Sequence, residues 1–393
     1  MANSNLAKAK NAKNDEFYTQ YQDIEKEIMA YLDFNPNTFT GKTVLLPCDD
    51  PEWSNFTKFF AQNFERLKLK KLISTSYAPD SKSLKINYAP TLFETNDPQF
   101  DKEKTIVNGK IFTLTRDKSG DGKIDVNDLE WTYLKGDGYF KSAEIKKLRD
   151  EADIIITNPP FSLFREFLSW IIEANKEFVL IGSMNAITYK EIFPLIKDNK
   201  MWLGNGFKAG NAYFSSPISN DYAEGVFDKE TGLVKFRNCV WFTNLDHGRR
   251  HQPMTLMTYE DNLKFSKHKE IKGKKYQNYD NYEAIEVPFT DAIPSDYDGV
   301  MGVPISFLDK YSPEQFEIVG FTAGRDEFEC IPSKKYINAI QYNPNGTTTS
   351  GSKANTRATL RLYEIPNAIY YSADNAEYPL QIVYARILIR HKK

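Results

Sequence analysis

Residues 153–161 read Asp-Ile-Ile-Ile-Thr-Asn-Pro-Pro-Phe. Ile154, Ile155, Ile156 and Thr157 form a continuous β-branched run, the pattern of a strand buried on both faces. Pro159 and Pro160 cannot donate to a sheet ladder, so the strand stops there in a rigid turn. Doubly buried strands belong to sheets covered by helices, which makes the expected class α/β. Open sheets of that class bind ligands outside the carboxyl ends of their central strands. The polar turn Asn158-Pro159-Pro160-Phe161 falls at such an end.

The flanking sequence repeats the alternation. Thr43–Leu46 reads as a first strand, Asn55–Leu67 as the helix after it and Lys71–Thr75 as a second strand, a βαβ opening. Before it, Asp15–Leu32 carries Ile24, Ile28 and Leu32 at helical spacing. Helices are expected at Glu144–Arg149, Leu163–Glu173 and Tyr189–Asp198, with a strand at Phe178–Gly182. Residues 78–130 are less regular and fit a hairpin-like insertion. Beyond about residue 200, short strands such as Cys239–Phe242 and Phe316–Val319 alternate with polar loops. The expected organisation is a mobile basic N-terminus over 1–14, a catalytic domain over 15–205 and a second region over 206–393.

Composition narrows the class further. At roughly 150 residues per domain, 393 residues suggest two or three domains. A net charge of -2 excludes a polycation, so any nucleic-acid surface must be a local patch. One candidate is 246–276, with eight Lys/Arg against four Asp/Glu and three of the four histidines. Cys48, Cys239 and Cys330 are odd in number and far apart, which argues against a disulfide framework and fits a reducing compartment. No cysteine pair has zinc-site spacing. The polar N-terminus lacks a secretory signal, and no apolar stretch approaches the ~20 residues needed to span a bilayer. The expectation is a soluble cytoplasmic protein.

The turn after the third strand suggests a chemistry. An aromatic amine lends its lone pair to its ring and is a poor nucleophile. The side-chain carbonyl of Asn158 and the backbone carbonyl of Pro159 can each accept one N–H and free that lone pair, while Phe161 stacks on the base. A sulfonium methyl donor then needs only alignment and electrostatics. In a duplex the amine is paired, so the base must leave the stack. The second constellation, Leu46 to Phe56, follows the first strand and opens a helix, where a nucleotide-like cofactor sits. It has no glycine. Its paired aspartates suit a cationic amino-acid end or a ribose hydroxyl better than a pyrophosphate, although an acidic helix start is the plain alternative.

On these segments the chain resembles the EcoRI-type adenine-specific DNA methyltransferases. The resemblance is carried by DEFYTQYQDIE at 15–25, CDDPEWSNFTKFFAQNF at 48–64, GDGYF at 136–140, TNPPFSLFREFL at 157–168 and DYDGVMGVPISFL at 296–308. It implies a Rossmann-like S-adenosylmethionine-dependent methyltransferase sheet with a C-terminal target-recognition region. It also implies methylation of adenine N6 in a short site of double-stranded DNA by base flipping and direct transfer. Asn158, Pro159, Pro160 and Phe161 are then the catalytic tetrapeptide. Phe17, Tyr18, Thr19, Pro47, Cys48, Asp49, Asp50, Pro51 and Asp137 are the expected cofactor-binding residues. Ser74-Thr75-Ser76 offers no carboxylate for the ribose, which leaves Asp49, Asp50 or Asp80. Arg249, Arg250 and His251 are the expected DNA-binding residues of the basic stretch. Asn343–Ala358 fits a hairpin tip or a nucleic-acid loop, the latter bringing Lys353 and Arg357 to DNA. A monomer completes the expectation, with an endonuclease of the same site as a candidate partner. The alternatives are the same chemistry on RNA or a protein glutamine, and a non-catalytic DNA-binding protein on the same scaffold.

Asp117, Ser119, Asp121, Gly122, Ile124, Asp125 and Asp128 follow the spacing of a calcium loop. Position twelve is Asp rather than Glu, and Lys110–Thr115 before it reads as a strand. An acidic turn is expected there, and no metal ligand is assigned.

Overall fold

The computed structural model describes residues 17–47, 49, 54–78, 97–207, 211–215, 226–322 and 332–393. Compactness divides the chain into two units, Met1–Met184 with Trp202–Gly248 and Asn185–Met201 with Arg249–Lys393. This line of division differs from residue 205, because the segment after it returns to the first unit's sheets.

The first unit runs β1 (Tyr18–Thr19), α1 (Tyr21–Phe34), β2 (Thr43–Leu46), α2 (Asn55–Gln62), β3 (Lys71–Thr75), α3 (Lys102–Val107), β4 (Lys110–Leu114) and β5 (Glu130–Tyr133). It continues with α4 (Ala143–Glu151), β6 (Ile154–Thr157), α5 (Phe164–Glu173), β7 (Glu177–Ser183), β8 (Trp202–Leu203), β9 (Asn211–Ser215), β10 (Leu233–Arg237) and β11 (Cys239–Thr243). Eight strands form one mixed sheet in the order β5-β4-β3-β2-β6-β7-β11-β8. β3, β2, β6 and β7 are parallel. The β4–β5 hairpin adds an antiparallel edge, so the described part of the 78–130 segment extends the sheet. At the other side β11 runs antiparallel to both β7 and β8.

The chain leaves β2 toward β3 and later returns to β6 on the opposite side of β2. That reversal is a topological switch point at the carboxyl ends of β2 and β6, the edge where open α/β sheets take their ligands. All four residues of β2 and of β6 are buried. Val44, Leu46, Ile154, Ile156, Val179 and Ile181 share one core with Ile24, Ile28 and Tyr31 of α1 and Phe56, Phe59 and Phe60 of α2. Side chains of a strand alternate in direction, so the other residues of β6 face the α5 side. Gly182 of β7 is shaped to that layer: a Cβ there would lie 2.6 Å from the Phe164 ring.

Three helices differ from the sequence reading, the first being Asn55–Leu67, which ends at Gln62. Of the expected helix Asp15–Leu32, the described residues are helical only from Tyr21. Tyr18 and Thr19 pair with Phe214 and Ser215 of β9, as their aromatic and β-branched side chains favour, and α1 begins at Tyr21. Tyr189–Asp198 shrinks to α6 (Phe193–Lys197) of the second unit. Pro194 sits in its first turn, where a missing N–H is tolerated.

The second unit also holds α7 (Tyr259–Phe265), β12 (Ile285–Glu286), β13 (Met301–Pro304), β14 (Phe316–Phe321), β15 (Ile340–Tyr342) and β16 (Thr348–Ser350). It ends with β17 (Thr359–Arg361), β18 (Tyr370–Ser372), β19 (Leu380–Ile382) and β20 (Arg386–His391). They make a four-stranded sheet β12-β13-β20-β14 and a five-stranded sheet β16-β15-β18-β19-β17. Asp280 and Asn281 join the two. The Asp280 carboxylate takes Lys334 at 3.0 Å, Arg361 at 2.7 Å and the Tyr336 hydroxyl at 2.8 Å. The fully buried Asn281 donates to Arg357 O and accepts from Thr359 N, at 2.8 and 2.9 Å. Among the described residues no helix is long and apolar enough to cross a membrane.

Candidate active site

The carboxyl ends of β2 and β6 are fastened to each other. Thr157, the last residue of β6, donates its hydroxyl to Pro47 O at 2.9 Å. The turn Asn158-Pro159-Pro160 leaves the sheet there and leads into the short 3-10 turn Phe161–Leu163 ahead of α5. The side-chain amide of Asn158 donates to Phe17 O at 2.7 Å. Its Oδ1 is buried and has no hydrogen-bond partner among the described residues. The Thr19 hydroxyl is in the same state, two residues along β1 from Phe17. Buried polar atoms are nearly always paired, so two orphans at a sheet's carboxyl edge mark a place for a polar ligand.

Aromatic rings line the turn. Phe17 stacks on Phe161 with centroids 6.4 Å apart and planes inclined by 26°. Phe236 of β10 meets Phe17 edge-on at 4.6 Å and Phe161 at 5.8 Å, and Phe214 of β9 stands behind Phe17 at 6.1 Å. Phe214 and Phe236 were missed in the sequence. Their strands are short, and nothing local says that β9 and β10 carry the Phe17 strand.

Beside the turn lies the loop after β2. Asp49 is buried and its Oδ1 accepts from the Ser54 hydroxyl at 2.9 Å. Ser54 is also the N-cap of α2, accepting from Phe56 N at 3.1 Å, so one hydroxyl starts the helix and holds the carboxylate. Asp49 O accepts from the hydroxyl of Ser74, near the end of β3. Cys48, Asp50, Pro51 and Asp80 lie outside the described residues. Asp137 sits at the same edge: its carbonyl accepts from Ala78 N, beyond β3, at 2.8 Å. The next residue, Gly138, has φ +86°, and a Cβ there would lie 2.2 Å from Ser76 O. Only glycine allows that approach, and it fixes Asp137 beside the strand end.

Phe17, Thr19, Pro47, Asp49, Asp137 and Asn158 to Phe161 are therefore brought to one edge of one unit. The five basic residues belong to the second unit. Arg249 pairs with Asp309 at 2.6 Å, and His251 Nδ1 lies 2.7 Å from Glu314. Arg250 is buried against the Asn199 side chain. Lys353 is exposed and Arg357 half-buried beyond the β15–β16 hairpin, whose tip closes through Asn343 N to Thr347 O.

The acidic loop 117–128 turns its carboxylates inward. Asp128 accepts from Lys118 N and Ser119 N at 2.9 and 2.8 Å and from Asp125 N at 2.9 Å. Asp117 accepts from Gly120 N and Gly122 N at 2.6 and 2.9 Å. No group of three or more metal-ligating side chains that could hold an ion occurs among the described residues.

A family model described as adenine-specific methyltransferase EcoRI matches residues 5–392 of the chain. The chain is 41% identical over 329 residues to the type II methyltransferase M.EcoRI of Escherichia coli, covering 83% of this chain and 91% of that relative. It is 36% identical over 322 residues to the type II methyltransferase M.MgeORF184P of Mycoplasma genitalium, covering 79% and 84%. It is 34% identical over 322 residues to the type II methyltransferase M.MpnI of Mycoplasma pneumoniae, again covering 79% and 84%. Nothing among solved structures matches.

Proposed function

Because the chain belongs to the EcoRI adenine-specific methyltransferase family, we propose that the turn after β6 presents the adenine amino group of duplex DNA to S-adenosylmethionine. The protein is an adenine-specific DNA methyltransferase. The observation that carries the finer reading is the orientation of Asn158, whose N–H is spent on Phe17 and whose Oδ1 is buried without a partner.

The eight-stranded sheet is read as a Rossmann-like methyltransferase sheet, with the donor at the carboxyl ends of β2 and β6. The residues there fit it. Asp49 and Asp137 suit the ammonium and hydroxyl or amino groups of the donor, and the Thr19 hydroxyl is free to bond a carboxylate. Phe17, Tyr18, Pro47, Cys48, Asp50 and Pro51 complete the proposed lining. When bound, the donor supplies an electrophilic methyl group.

The chain's own residues do the rest. Asn158 Oδ1 and the Pro159 carbonyl each accept one N–H of adenine N6, drawing the lone pair out of the ring. Phe161 stacks on the base and orients the amine, with Phe17 and Phe236 fixing its ring. Pro160 keeps the turn rigid. As N6 gains the methyl, a thioether product would be left and one amine proton passes to water. A stacked and paired base cannot reach this turn, so the adenine is flipped out of the duplex. The second unit is assigned to DNA binding and site recognition, with Arg249, His251, Lys353 and Arg357 toward the phosphates and the buried Arg250 holding the 249–251 turn. A monomer acting in the cytoplasm, with a possible endonuclease partner of the same site, fits this role. Modification mapping of plasmid DNA from cells expressing the protein tests it. N6-methyladenine at one short sequence is expected, and unmodified adenine throughout would refute it.

A further inference from the structure

We propose that Asn55 is a positioning residue for the catalytic turn: its side-chain amide and that of Asn158 together close the open edge of β1. The inference rests on the reading of Asn158 as acceptor for the target amine.

β1 pairs with β9 on one side and ends its sheet on the other. Carbonyls of a strand alternate in direction, so those of Phe17 and Thr19 point to the same edge. Each is capped by an asparagine: Asn158 Nδ2 donates to Phe17 O at 2.7 Å and Asn55 Nδ2 donates to Thr19 O at 2.8 Å. The two amides stand where the neighbouring strand of a sheet would.

This arrangement fixes the polarity of Asn158. A carboxamide can be turned two ways. With its NH2 on Phe17 O, its Oδ1 faces the substrate side as an acceptor. Turned over, Oδ1 would meet the Phe17 carbonyl, and the NH2 would face the N–H of the target amine. The first contact sets two acceptors together and the second sets two donors together. The Phe17 carbonyl thus selects the productive orientation, while the Phe17 ring, stacked on Phe161, ties the base-stacking side chain to the same strand.

Asn55 holds that strand to the body of the unit. It is the first residue of α2, directly after Ser54, which caps the helix and bonds Asp49. One helix start therefore orders the loop after β2 through Ser54 and the turn after β6 through Asn55, Thr19 and Phe17. Asn55 acts on the reaction only through those neighbours.

The test compares Asn55→Ala and Asn55→Asp, which lack the donor, with Asn55→Gln, which keeps an NH2. Single-turnover methyl transfer to duplex DNA is measured on the purified full-length chain. The two donor-less variants are expected to slow transfer by about 10- to 100-fold, the scale of a misplacement near 1 Å. DNA Kd should stay near its native value, any rise in donor KM through Thr19 should be smaller than the loss of rate at saturating donor, and Asn55→Gln should regain most of the rate. Hydrogen exchange of the Asn158 side-chain amide should quicken in Asn55→Ala. A native transfer rate in Asn55→Ala, or a loss confined to DNA or donor affinity, would overturn the assignment. If the native protein transferred no methyl group to DNA, the underlying reading would fail. The exchange comparison would still decide whether Asn55 holds Asn158, unchanged exchange counting against it.

Discussion

Asn158, Asp128 and Cys239 show how differently single residues advertise themselves. The place of Asn158 at a strand end was legible because its neighbours are local: a buried run before it and two prolines after it. Asn55 and Phe236 were not, since their roles arise from contacts with residues far away in the chain. In 117–128, expected as an acidic turn, the Asp117 and Asp128 carboxylates accept from backbone amides. The N–H groups of Asp125, Ser119 and Lys118 hold the Asp128 carboxyl down from its ordinary 3.8 to about 2. A depressed folded value means that this anchoring is fully present above about pH 4 and is lost as pH falls through about 2. A carbon-13 NMR titration should place the Asp128 midpoint near 2, whereas a midpoint at 3.8 would contradict the bonding described. Burial pushes the Cys239 thiol up to about 12, so it should resist alkylation at pH 8 in the native protein and react once unfolded.

At the scale of elements, the strands were easier to anticipate than the helix starts. Thr43–Leu46 and Lys71–Thr75 fall on the expected residues, because buried β-branched and aliphatic runs leave little choice. The N-terminal segment misled, since Tyr18 and Thr19 fall inside the expected helix Asp15–Leu32 and only β9 makes them a strand. The start of α2 is a joint between stability and function. Ser54→Ala should cost about 1 kcal/mol through the lost cap. It should also raise the KM for the methyl donor by removing the Ser54 hydroxyl from Asp49, and a native KM would disconnect Asp49 from the donor. Gly182→Ala should destabilise the unit by roughly 1–3 kcal/mol, because the new methyl must displace the Phe164 ring. Denaturant unfolding of the purified variant measures that loss.

For the whole molecule, the α/β class was readable, but the division into units was not. Residue 205 was the expected boundary because α/β alternation ends near it. The chain instead sends β9, β10 and β11 back to the first unit, and β11 inserts between β7 and β8. Sheet neighbours so distant in sequence leave no local signal. Charge is divided as well: residues 333–393 hold nine Lys/Arg against three Asp/Glu in a chain of net charge -2. If that part meets phosphates, log K for duplex DNA should fall linearly with log salt, and Lys353→Glu should make the slope shallower. The catalytic expectations depend on what Asn158 does. The most direct test incubates native protein and Asn158→Ala with methyl-labelled S-adenosylmethionine and duplex DNA, then digests the DNA and identifies the labelled nucleoside. The account predicts label on adenine N6 with the native protein and a near-complete loss in Asn158→Ala, with donor binding retained. Label on another base, or undiminished transfer by Asn158→Ala, would contradict it.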